Sequence, residues 1–155
     1  MLFSHKVKRI LKHADNVKAI IQIDRLLTPL YRQQPEQLSA EEKNIVYIEE
    51  LEREVNHGGF ENFFSKKAGD YTRETLIALQ SIQSVTFLQL LNQAMQKFPR
   101  GYVPSDQTKR QKILGLVLQQ QADVFEDLNW EFYHYDEDLY GLMRTYILAN
   151  IRNFR

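Results

Sequence analysis

The chain has 155 residues, 43% of them hydrophobic and 26% charged, with six Gly and four Pro, the composition of one ordinary globular domain. It contains no cysteine, which excludes disulfide frameworks, Cys-ligated zinc, iron–sulfur clusters and thiol catalysis. Its 20 basic and 20 acidic residues cancel, which argues against bulk nucleic-acid binding, and no apolar stretch approaches the ~20 residues of a membrane span.

Helix signals follow one another along the chain. Residues 4–13 read as a helix, and the N-terminal segment with Lys6, Lys8, Arg9, Lys12 and Lys18 around Val7, Ile10, Leu11 and Val17 reads as basic and amphipathic. Bases interrupt the apolar residues there, so the pattern is not that of a signal peptide, and a cytoplasmic location is expected. A second helix reads over 15–33, with Pro29 expected to bend or break it. Ser39 followed by Glu42 is a capping box, in which hydroxyl and carboxylate each satisfy a free amide of the first turn. Ile45, Ile48, Leu51 and Val55 then recur at helical spacing, and Gly58-Gly59 mark the stop, with Gly58 expected at positive φ. Further helices read over 60–66, 72–82, 84–97, 106–121, 122–134 and 137–152, the last capped by Asp136. No segment alternates with period two, and the fold class is all-α: a single compact multi-helix domain of about eight helices.

The zero net charge hides a segregation. Residues 1–32 carry a net +5, 33–62 a net −6, 63–112 a net +5, 113–143 a net −7 with no base at all, and 144–155 a net +3. Folding can therefore gather patches of either sign onto one face.

The segment 47–79 contains the acidic helix Glu50-Leu51-Glu52-Arg53-Glu54-Val55-Asn56, the Gly58-Gly59-Phe60 break, the pair Phe63-Phe64, Gly69, and Glu74-Thr75 followed by Ala78-Leu79. Downstream come Leu90-Leu91, Ala94, Phe98-Pro99, Phe132-Tyr133, Asp138-Leu139, Tyr146-Ile147 and Asn150. In these elements the chain resembles a bacterial family of domains of unknown function that includes a DNA-mimic protein. The resemblance covers most of residues 45–154. It leaves 1–35 as an N-terminal helical segment outside it and 36–155 as a DNA-mimic-like domain, within one compact unit. Two positions depart from the family pattern: His57 stands where a second Asn is expected, and Gln83-Ser84 where Gly-Ala is expected.

The resemblance implies an all-helical protein in a family most of whose members have no assigned activity; the sequence itself has no Gly-x-Ser-x-Gly and no dinucleotide fingerprint, so neither enzymatic activity nor a cofactor is expected. Its best-understood relative uses surface carboxylates to occupy the DNA-binding faces of other proteins. The expected partner is thus a protein with a basic surface, such as a DNA-binding protein, with no direct nucleic-acid or membrane contact; a homodimer is compatible with the charge pattern. Physically, duplex DNA presents about one charge per 1.7 Å of axis, and carboxylates on successive helical turns, ~5–6 Å apart, approximate the spacing along one strand. Asp123, Asp127 and Glu131 have that i, i+4, i+8 spacing, with Glu126 beside them and Asp136, Glu137 and Asp138 just beyond. Glu49 and Glu50 offer a second edge on the acidic helix 41–54, where Glu42, Glu49 and Glu50 lie opposite Ile48 and Val55.

Other readings compete. The same acidic face suits an immunity- or antitoxin-like inhibitor of a partner protein, and the plainest reading of all is a solvated helix face. Glu54-x-x-His57 and Glu131-x-x-His134 have the i, i+3 spacing of carboxylate-bridged di-iron bundles. A metal-dependent enzyme built on them needs two further Glu that no motif supplies, and His57 sits where its helix should end; no metal is expected. Asn56-His57-Gly58-Gly59-Phe60 lacks the Lys-Ser/Thr of a phosphate loop, and Phe60, Phe63 and Phe64 read as core rather than as a base-stacking platform. The basic N-terminal helix could touch a membrane surface or nucleic acid, but docking on one of the acidic faces of its own chain explains it more cheaply.

Overall fold

The capping box at Ser39 starts the helix around which the rest of the chain is built. The computed structural model describes residues 2–155. Among them are eight α-helices and four short 3-10 turns, with no strand. In chain order these are α1 (Leu2–His13), α2 (Asn16–Gln33), α3 (Ala40–Ser65), α4 (Thr72–Ser81), α5 (Thr86–Met95), α6 (Gln107–Gln120), α7 (Glu126–Tyr133) and α8 (Leu139–Ala149). The Ser39 hydroxyl accepts from the Glu42 amide at 3.1 Å, and the Glu42 carboxylate accepts from the Ser39 amide at 2.8 Å. From there α3 runs through the middle of the molecule, with α2, α4, α6 and α7 packed around it.

One buried apolar cluster extends from Val7 to Phe154, so α1 and α2 share the core of the later helices. Its centre is aromatic: Phe60, Phe63 and Phe64 are fully buried, and Phe64 meets Phe98 edge-on at 4.8 Å while Phe60 meets Phe132 edge-on at 5.7 Å. Buried Arg110 ties α6 to the end of α3. Its guanidinium donates to the carbonyls of Phe64, Pro104, Ser105 and Lys66 and to the Asp70 carboxylate, at 2.6–3.0 Å. Gly69 makes room for it, since a Cβ there would lie 2.7 Å from Arg110 Nε.

The two legs of α3 meet at Gly58-Gly59. The residue at positive φ is Gly59 (φ 80°, ψ −178°), not Gly58 as expected; Gly58, at φ −162°, is extended. Gly59 occupies a region essentially closed to residues with a Cβ. The geometry it permits turns the Phe60 amide outward to donate to Asn129 Oδ1 at 2.8 Å.

Residues 60–66 are the second leg of α3 rather than a separate helix, α5 and α8 are shorter than the expected 84–97 and 137–152, and three further details differ from expectation. Pro29 neither breaks nor ends α2, because it is exposed and stands one turn from the C-terminus, where it removes only one intrahelical bond. Helix α7 begins at Glu126 rather than 122, because residues 122–125 form tight turns that carry Phe125 into the core. The cap of α8 is Asp138, accepting from the Gly141 amide at 2.9 Å, rather than Asp136.

Candidate functional site

Helix α7 is amphipathic in the simplest way. Phe125, Leu128 and Phe132 are buried, so at ~100° per residue the opposite side carries Glu126 and Trp130 on one stripe and Asp127 and Glu131 on the next. Asp123 is not in this helix but in the turn before it, so the expected three-turn line of Asp123, Asp127 and Glu131 is shortened to one i, i+4 pair plus a neighbour. All of Asp123, Glu126, Asp127, Glu131 and Asp136 are exposed, and among the described residues none of them forms an ion pair. Glu126 and Asp127 also lie in the first turn of α7, where carboxylates suit the helix dipole.

Other members of the expected set have internal roles. Glu137 reaches across to the start of α5, accepting from Ser84 Oγ at 2.6 Å and from the Val85 amide at 2.8 Å. Asp138 is exposed but engaged as the α8 cap. Glu50 is paired with Arg53 at 2.8 Å and lies 3.7 Å from Arg32. Glu42 is buried, holding the Ser39 amide with one oxygen and the Arg155 amide with the other.

Glu49 departs furthest from the expected second edge. It is only 8% exposed, and its Oε1 is buried without a hydrogen-bond partner. Burial first, then the charges of Glu52 and Asp24, push its carboxyl up to about 8. Burial thus favours the neutral acid, and Glu49 offers almost no surface to a partner. Burial likewise raises its neighbour Glu52, which accepts from the Tyr140 hydroxyl. Asp24 completes the cluster from α2 and is bridged to Arg53 at 2.8 Å. Expecting a free acidic face on α3 assumes one buried side; a central helix is covered on several sides.

The structure also sets Glu61, Asn129 and Trp130, none of them expected as site residues, beside Asp123 and Glu126. A groove of about 500 Å³ runs between Gly58, Gly59 and Glu61 of α3 and Asp123, Glu126, Asn129, Trp130 and Tyr133 of α7 and its preceding turn. Asn129 spans it, accepting from the Phe60 amide and donating to Glu61 Oε2 at 3.0 Å. Tyr133 donates to the Val55 carbonyl at 2.9 Å. Trp130 is 62% exposed, one ring face stacked on His134 with centroids 4.3 Å apart. A sequence signal for Trp130 existed: it falls on the polar side of a helix whose apolar stripe is 125, 128 and 132.

The Glu-x-x-His pairs do not converge. Glu54 accepts from Asn62 at 2.7 Å, His57 is exposed before the α3 break, and His134 stacks on Trp130. Among the described residues no group of three or more His, Cys, Asp or Glu side chains is placed to hold a metal ion. Helix α1 buries Val7 and Leu11 against α2 and the 151–153 turn, not against an acidic face as expected, and Lys6, Lys8, Arg9 and Lys12 stay exposed. Its apolar stripe finds the core first, and burial outweighs exposed ion pairs worth ~0–1 kcal/mol each. Among the described residues no helix is long and apolar enough to cross a membrane.

A family model described as DMP19-like protein matches residues 36–150, from the 3-10 turn before α3 to the end of α8. No curated protein and no solved structure gives a match.

Proposed function

The chain belongs to the DMP19-like protein family, and from that premise we propose that it is a non-enzymatic binding protein whose α7 face occupies the basic surface of a partner, in the manner of a DNA mimic. The observation that carries this reading is the run 113–143, which has seven acids and no base, and in which Asp123, Glu126, Asp127, Glu131 and Asp136 are exposed and unpaired among the described residues. Unpaired carboxylates without an interspersed base give a local negative potential that attracts a cationic surface. The α3 edge drops out of the proposal, since Glu49 is buried and Glu50 is paired.

Binding of this kind competes with DNA and weakens as salt rises, because screening shortens to ~8 Å at physiological ionic strength. The partner is first captured by affinity pull-down from native lysate. The triple variant Asp123→Lys, Asp127→Lys, Glu131→Lys is then compared with the parent for partner binding, with and without competing duplex DNA, at two salt concentrations. All three sites are exposed and Asp123 lies outside α7, so circular dichroism should stay close to that of the parent while binding is lost. Equal binding by the triple variant, or simultaneous binding of DNA and this protein to the partner, refutes the mimic reading.

A further inference from the structure

The groove between the α3 break and α7 has a built floor. Asn129 is held at both ends of its amide, and the Tyr133 hydroxyl is held by the Val55 carbonyl, so neither side chain is free to swing across the opening. Gly59 keeps the floor open, since a Cβ there would lie 2.6 Å from Glu61 Oε2 and would also meet Asn129. Three carboxylates line the groove, those of Glu61, Asp123 and Glu126, and no basic residue does. Asn129 occupies one oxygen of Glu61, which leaves Asp123 and Glu126 without a hydrogen-bond or ion-pair partner for their side chains among the described residues.

Trp130 lines this acidic groove with 62% of its surface exposed and its ring stacked on that of His134. Folding alone gives no reason for a bare indole there: burial of Phe125, Leu128 and Phe132 already anchors α7. An indole face beside unpaired carboxylates is the recognition chemistry of a cation, and a guanidinium suits it better than an ammonium. The guanidinium is planar and weakly hydrated, stacks on an aromatic face, and offers paired N–H donors to a carboxylate, whereas an ammonium is a strongly hydrated point charge.

We infer that this groove is a socket for an arginine side chain of a protein partner, its guanidinium packed on the exposed indole of Trp130 and hydrogen-bonded to Asp123 or Glu126. The inference rests on the reading of the α7 face as a partner surface and adds the residue chemistry that the surface selects. Charge complementarity and the exposed indole select the occupant.

Trp130 is the chain's one tryptophan, so its fluorescence reports on the socket directly. The full chain is titrated with hexa-arginine, hexa-lysine and hexa-citrulline peptides, following Trp130 emission and, separately, the anisotropy of labelled peptide. Hexa-arginine should change the emission saturably and bind at least about three-fold tighter than hexa-lysine, and hexa-citrulline should not bind. Trp130→Leu should weaken hexa-arginine by roughly two- to five-fold, the range for an exposed cation–π contact, and leave hexa-lysine unchanged. Trp130→Phe, which keeps a ring face, should retain most of the arginine preference; Asp123→Asn with Glu126→Gln should remove it. Equal affinity for the two basic peptides, unaltered by Trp130→Leu, overturns the socket; if the triple Lys variant still loses peptide binding in that case, the wider acidic surface survives. Failure of every basic peptide to bind overturns both.

Discussion

Glu49 makes the stability of this protein depend on pH in a direction opposite to that of most carboxylates. In the folded chain burial and the charges of Glu52 and Asp24 hold its pKa at about 8, against an ordinary value of 4.5. Between those values the folded protein keeps a proton that the unfolded chain has released, so folding takes up a proton and stability falls as pH rises. The slope for one proton is at most about 1.4 kcal/mol per pH unit. At ~2–4 °C per kcal/mol for a domain of this size, that is roughly 3–6 °C of melting temperature per unit. Glu52, raised by burial as well, acts in the same direction. The groups facing the cluster are Asp24 and Arg25 from α2, Glu50, Glu52 and Arg53 from α3, and Tyr135 and Tyr140 from the α7–α8 side. Because several of these also titrate or shift, the parent profile alone does not isolate Glu49. Thermal melts of the parent and of Glu49→Gln, at half-unit steps from pH 5 to pH 8 and constant ionic strength, do so by difference. Gln is neutral throughout and nearly isosteric. The variant should melt close to the parent near pH 5 and gain on it steadily toward pH 8. Two parallel profiles over that range would refute a buried, protonated Glu49.

Arg110→Met should lower stability by about 3–5 kcal/mol, because it strands the Asp70 carboxylate and the carbonyls of Phe64 and Lys66 that the guanidinium serves; a chemical denaturation midpoint within error of the parent would show that the cluster is not stabilising. Gly59→Ala should cost about 1–3 kcal/mol from its φ of 80° alone, plus displacement of Asn129, and should exceed the cost of Gly58→Ala, whose φ is extended. Denaturation of the two variants side by side checks the order, and a more damaging Gly58→Ala would place the turn at the wrong glycine.

Whatever depends on neighbours three or four residues away is legible in the chain before it folds. The Ser39–Glu42 capping box, the apolar stripe of Ile45, Ile48, Leu51 and Val55, the interruption at Gly58-Gly59 and the burial of Phe60, Phe63 and Phe64 are all set by local hydrogen bonding and helical periodicity. The base-free acidic run was legible too, because composition needs no fold. Only the tertiary structure decided which carboxylates are charged and free. Glu49 and Glu42 are buried because α3 is surrounded by other helices, a fact about packing that no periodicity of α3 encodes. Glu137 is spent on amides at Val85 and Thr86, 52 and 51 positions away in the chain. The groove at Trp130 exists because Asn129 draws α7 against the break in α3 across 69 residues. Charge and periodicity are properties of a segment, whereas exposure and partnership are properties of the assembled surfaces, and the same carboxylate is a binding group, a cap or a buried acid according to what folding brings beside it.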